Sequence, residues 1–106
     1  MKKSVILQLA YDSIDEVFQT KNIINKKELL KQHPLLNEII PTKIIIYVDT
    51  EQRGNYTNNK KLIDNIIEGA KKVAFENDKP MKISEYKNCE IEITLETPEG
   101  VLTQRG

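Results

Sequence analysis

The sequence holds few side chains suited to catalysis or to specific recognition. Cys89 is the only cysteine and His33 the only histidine. Together they would form an elementary nucleophile and base. Cys89, however, falls on the apolar positions of "CEIEITLE", where an unpaired cysteine acts as a small buried hydrophobe. His33 stands in "KQHPLL", at a helix end before proline, where a basic side chain faces the last carbonyls. A zinc site would need carboxylates at ligand spacing to join them, and that spacing is absent. No metal or other cofactor is expected.

Glu90 and Glu92 form the second candidate set. Two apart on one strand, they share a face roughly 7 Å apart, a separation at which paired carboxylates do acid–base work. The plainer reading is a charged solvent face that discourages pairing with other chains. The Gly-x-Ser-x-Gly and His-Glu-x-x-His patterns are missing, and four scattered glycines build no phosphate cradle.

The third set centres on "DTEQRGNYT". Arg53 is one of only two arginines among sixteen basic residues. The other, Arg105, sits in a terminal "TQRG" read here as a coincidental echo. Where lysine otherwise serves for every cation, an arginine suggests a need for its planar fork, which grips carboxylate or phosphate. The expected contact site is therefore a hairpin loop of Gln52, Arg53, Gly54, Asn55 and Tyr56, with Gly54 supplying a positive φ. Arg53 would meet an anionic or polar group of a small ligand or protein partner; a purely structural ion pair is the competing role. An enzyme using the same loop with Glu90, Glu92 or Cys89 is the alternative function.

These residues need a frame. Apolar positions recur at helical spacing over residues 4–20 and again over about 59–77, which predicts two amphipathic helices, the second capped by Asn58 or Asn59. Asn25 with Glu28 resembles a capping box opening a short helix to about Lys31. "KIIIYVD" (43–49) is apolar without alternation and reads as a central strand covered on both faces, with Tyr47 in its core. "NYT" would return as its hairpin partner after a loop of four or five residues. A short turn near 84–88 leads to "CEIEITLE", which alternates cleanly and predicts a strand with one buried face. The "TPEG" turn follows. The fold class is α+β: a mostly antiparallel sheet flanked by helices, in a single domain over 1–106.

Sixteen acidic residues balance sixteen basic ones, which argues against a nucleic-acid surface. Zero net charge also leaves self-association unopposed, and "VLTQRG" could add as a strand to a second copy, making the chain a self-associating structural protein. The apolar run near the start is too short and too acidic to be a signal core, and no segment has transmembrane length, so no membrane partner and a cytoplasmic location are expected.

Taken together, "VILQLAYDSIDEVF", "KIIIYVDTEQRGNYT", "LIDNIIEGAKKVAFEND" and "CEIEITLETPEG" resemble the AMMECR family domain. Members run from an amphipathic helix through a strand and a Leu-Arg-Gly-Cys-Ile-Gly loop to a helix ending like "VAFEND" and a strand like "EIEITLETPEG". Of the hallmark loop only Arg53 and Gly54 survive; Asn55 replaces the cysteine and Thr57 the second glycine. Against the family the chain is also shortened at its C-terminal side. The resemblance implies an antiparallel sheet flanked by helices. It also implies a partner or substrate, since members are associated with Memo-like and radical-SAM proteins. With the hallmark cysteine replaced, it points to a non-catalytic binding or interaction module.

Overall fold

The computed structural model describes residues 3–106. Its centre is β1 (Thr42–Val48), flanked by β2 (Glu51–Asn58) on one side and β3 (Cys89–Thr97) on the other, with β4 (Gly100–Arg105) beyond β3. All three pairings are antiparallel, giving the order β2-β1-β3-β4. The alternation in β3 turns Ile91, Ile93 and Leu95 inward against Ile46, Ile44 and Thr42 of β1. The α+β expectation, with an antiparallel sheet, matches this architecture.

Helices α1 (Val5–Gln19) and α3 (Leu62–Phe75) pack against each other and lie on one face of the sheet, α3 over β1 and β2 and α1 over β3. Their apolar stripes meet the strand residues in a core built around Ile14, Ile44, Ile46, Ile63, Ile66 and Ile93. Ser4 caps α1 by accepting from the Leu7 amide. Asn25 caps α2 (Lys26–Gln32) by accepting from Glu28, as its sequence predicts. A 3₁₀ turn at Pro34–Asn37 buries Leu36. The single turn α4 (Ile83–Tyr86) occupies the segment read as an irregular turn.

Three expectations are corrected. The sheet is covered on one face only: Lys43 is exposed and Ile45 and Tyr47 are half-exposed, so Tyr47 lies on the open face rather than in the core. The β1–β2 hairpin turns on two residues, Asp49 and Thr50, both at positive φ (50° and 70°), which matches a primed two-residue turn. With the turn that tight, β2 begins at Glu51, and Gln52 to Tyr56 are strand residues rather than a loop. Finally, neither Asn58 nor Asn59 caps α3, whose N-cap is Lys61 with no side-chain bond.

Asn65 does the work of a cap from inside α3. Only 1% exposed, it accepts from the Lys60 amide and donates to the carbonyls of Ile40 and Lys60, with the Thr42 hydroxyl 3.1 Å away. One buried amide thereby joins the start of α3 to the approaches of β1 and of the helix itself.

Candidate functional site

β2 carries the five candidate residues, and an irregularity in its ladder sorts them. Ile46 pairs with Gly54 and Tyr47 with Gln52, leaving Arg53 as the extra, bulged residue. Released from the ladder's alternation, Arg53 reaches α4. Its Nη1 donates to Glu85 Oε2 at 2.5 Å and its Nη2 to the Lys79 carbonyl at 3.1 Å, with Glu85 Oε1 at 3.4 Å. The side chain is 12% exposed. The Arg53 guanidinium in turn holds the Glu85 carboxyl down at about 2, helped by the Lys82 amide. The fork grips an internal carboxylate, the ion-pair role weighed for Arg53 beside ligand contact.

The neighbours of Arg53 face a different space. Gly54 lies directly beneath α3, and a Cβ built there would stand 3.4 Å from Val73 Cγ1. Its φ is not positive, so it supplies no turn, and that spacing is ordinary van der Waals contact. Tyr56, opposite Ile44, is half-buried against the helix, and a Cβ on Gly69 would come 3.1 Å from its ring and 2.7 Å from Ile44 Cδ1. Lys72 places its ammonium 5.2 Å from the centre of the Tyr56 ring. Between β2 and α3 these residues leave a hollow of about 210 Å³, lined by Gly54, Asn55, Tyr56, Lys72, Glu76 and Asn77 among others. Asn77 is committed internally, donating to the Val73 carbonyl and accepting from the Lys79 amide. Lys72, invisible to a reading centred on arginine, is the exposed cation of this hollow.

Glu90 and Glu92 do share one strand face, as predicted, but it is the open face, where they pair with Tyr47 and Ile45 in the ladder. They meet Arg105, which forms an ion pair with Glu90, lies 3.9 Å from Glu92 and stacks 4.3 Å above the Tyr47 ring. The second Gln-Arg-Gly is thus a structural clamp on the open face. β1 separates these carboxylates from β2, so the geometry does not bring them together with the Arg53 side chain.

Cys89 opens β3, half-buried against the core, and burial pushes its thiol up, only partly offset by the Tyr11 hydroxyl. Tyr11 donates to the main-chain oxygen of Gly106 at 2.7 Å, with the Cys89 carbonyl 3.1 Å away. Burial likewise raises Tyr86 to about 12, its hydroxyl donating to the Tyr11 carbonyl. Among the described residues no three His, Cys, Asp or Glu side chains are grouped to hold a metal ion, and no helix is long and apolar enough to cross a membrane.

No protein-family model matches the chain, and no curated protein matches it. Among solved structures it is similar to an uncharacterized protein of Pyrococcus horikoshii, with a TM-score of 0.74 and 22% identity over 88% of this chain. The likeness concerns the fold. The chain spans 50% of the length of that protein.

Proposed function

We propose that this chain is a non-catalytic binding or interaction module of the AMMECR type, contacting its partner at the hollow between β2 and α3. The observation that carries the reading is the meeting of Gly54, Asn55 and Tyr56 with the exposed Lys72 around one concave space. At about 210 Å³ it falls below the roughly 300–1,000 Å³ usual for small-molecule pockets. It suits a single polar or anionic group, such as a carboxylate side chain of a protein partner or a small free anion. Lys72 supplies the charge, Tyr56 an aromatic wall, and Asn55 a hydrogen-bonding amide. Arg53 supports the site by fixing the bulge and is not itself the contact.

Amide chemical shifts followed during titration with inorganic phosphate and with acetate test this. Shifts concentrated at Asn55, Tyr56 and Lys72, and abolished by Lys72→Ala with an unchanged melt, are expected. Uniform small shifts, or the same response in Lys72→Ala, would defeat the proposal.

A further inference from the structure

β4 is the exposed edge of the sheet, and its backbone is free along one side. Ile91 and Gly106 exchange both backbone hydrogen bonds, at 2.9 and 3.0 Å. Because an antiparallel ladder alternates, Gln104, Leu102 and Gly100 also turn their amides toward β3, and Val101, Thr103 and Arg105 turn theirs outward. All six residues of β4 are exposed, with no bulge, proline or lysine to guard the edge. The opposite edge, β2, is interrupted by the bulge at Arg53.

The surface beside β4 is also apolar. Leu35, Ile39, Val101 and Leu102 are 60%, 68%, 66% and 58% exposed, and together with Leu95 and Pro98 they line a groove of about 600 Å³. Among the described residues, four of the seven large hydrophobics left exposed thus line this one groove. A free strand edge bordered by an apolar groove is a surface built to be covered.

We infer that β4 pairs antiparallel with β4 of a second copy of this chain, about a two-fold axis through Thr103, joining two four-stranded sheets into one of eight strands. Only residues with outward amides can pair, so the register must match Val101, Thr103 and Arg105 among themselves. Centring on Thr103 pairs Val101 with Arg105, Thr103 with Thr103, and Arg105 with Val101, and it uses every free amide. A register centred on Leu102 sets Arg105 against Glu99 in the turn and so loses one residue from the seam.

The side chains agree with that register. On the open face Thr94 and Thr103 already share a hydrogen bond at 3.1 Å, and the two-fold continues them into a row of four threonines, a favourable cross-strand pairing. Arg105 is placed against the partner's Val101, an uncharged neighbour, with Glu96 lying one strand beyond Val101 on β3. On the helix-covered face Leu102 meets the partner's Gln104, beside the Leu35 and Ile39 patch. No like charges oppose one another, and the zero net charge adds no repulsion. The seam engages fewer than the roughly 20–30 residues per side of a standard interface, so dissociation in the micromolar range is expected.

Sedimentation across a wide concentration range should show a monomer–dimer equilibrium. Thr103→Pro removes an outward amide without touching the β3–β4 ladder. It should weaken the dimer at least tenfold, and circular dichroism should show an intact fold. Independently, in a Cys89→Ser background, Thr103→Cys should oxidise to a cross-linked dimer. Its Cα atoms would face each other at roughly 5.5 Å, within the roughly 4.4–6.8 Å that disulfides span. Val101→Cys, offset from its own copy by four residues, should not cross-link. A strict monomer into the millimolar range overturns the inference, as does a dimer that cross-links through Val101→Cys but not Thr103→Cys. A dimer unaffected by Thr103→Pro overturns it equally.

Discussion

Arg53 on β2 and Glu85 on α4 are joined through both arms of the guanidinium, while the same side chain holds the Lys79 carbonyl. The link ties the edge of the sheet to the segment between α3 and β3. A lysine offers one flexible ammonium and cannot reproduce three contacts in a plane. Arg53→Lys should therefore lower the melting temperature, and Arg53→Ala should lower it further. Equal melts for wild type and Arg53→Ala would remove the ion pair from the forces holding this corner.

The same pair sets a dependence on pH. The folded carboxyl of Glu85 lies at about 2 against an ordinary 4.5, so folding favours its ionised form. The stabilisation is complete above about pH 4.5 and is lost as pH falls toward 2. The melting-temperature gap between wild type and Glu85→Gln should be widest near neutral pH and should close across that interval. A gap constant with pH would contradict the assignment.

Thr50 holds a β-branched side chain at φ 70°, a left-handed conformation costing roughly 1–2 kcal/mol for residues other than glycine. Thr50→Gly relieves that cost but adds freedom to the unfolded chain. The net expectation is stabilisation by about 0.5–1 kcal/mol, read from urea unfolding at unchanged m-value.

Asn65 is the buried polar junction of the molecule. Asn65→Ala leaves the Lys60 amide and carbonyl without this partner in a part-buried site, while the Ile40 carbonyl keeps the Thr42 hydroxyl. Each such group costs about 1–3 kcal/mol; allowing for relaxation, a loss of about 2–4 kcal/mol is expected in denaturant unfolding. A loss under about 1 kcal/mol would mean that these groups find other partners.

The Cys89 thiol should react slowly with iodoacetamide. It is raised by burial and packed against the core, and the thiolate is the reactive form. Modification should accelerate on adding urea, in step with unfolding. Rapid alkylation of the native protein would instead restore Cys89 as a candidate nucleophile.

Much of the architecture is legible from local pattern. The strict alternation of "CEIEITLE" can satisfy only a strand with one buried face, and Asn25 with Glu28 marks a helix start through a bond the structure contains. The errors trace to residues whose chemistry disguises their conformation. The tight turn at Asp49 and Thr50 lacks the glycine that usually signals it, so Gly54 drew the turn four residues too far. Gly54 in fact sits within β2 under α3, where its neighbour is Val73, nineteen positions away. "KIIIYV" looks doubly buried because Ile45 and Tyr47 are apolar, and only the pairing of distant Arg105 with Glu90 shows how Tyr47 is sheltered. The Arg53 side chain, central to the sequence reading, found its carboxylate thirty-two residues later in the same chain.

Arg105 and Gly106 are fastened above and below the sheet. Arg105 lies clipped over Tyr47 on the open face, and on the helix-covered face Tyr11 holds the main-chain oxygen of Gly106. The turn end of β4 is tied back only to β3, by the Thr97 hydroxyl donating to the Gly100 carbonyl at 2.8 Å, and Gly100 stands at φ 134° in open space. Loosening of the strand should therefore begin at the turn and travel toward Gly106. Hydrogen exchange would read this as a gradient along β4, with the amides of Gln104 and Gly106 outlasting that of Leu102.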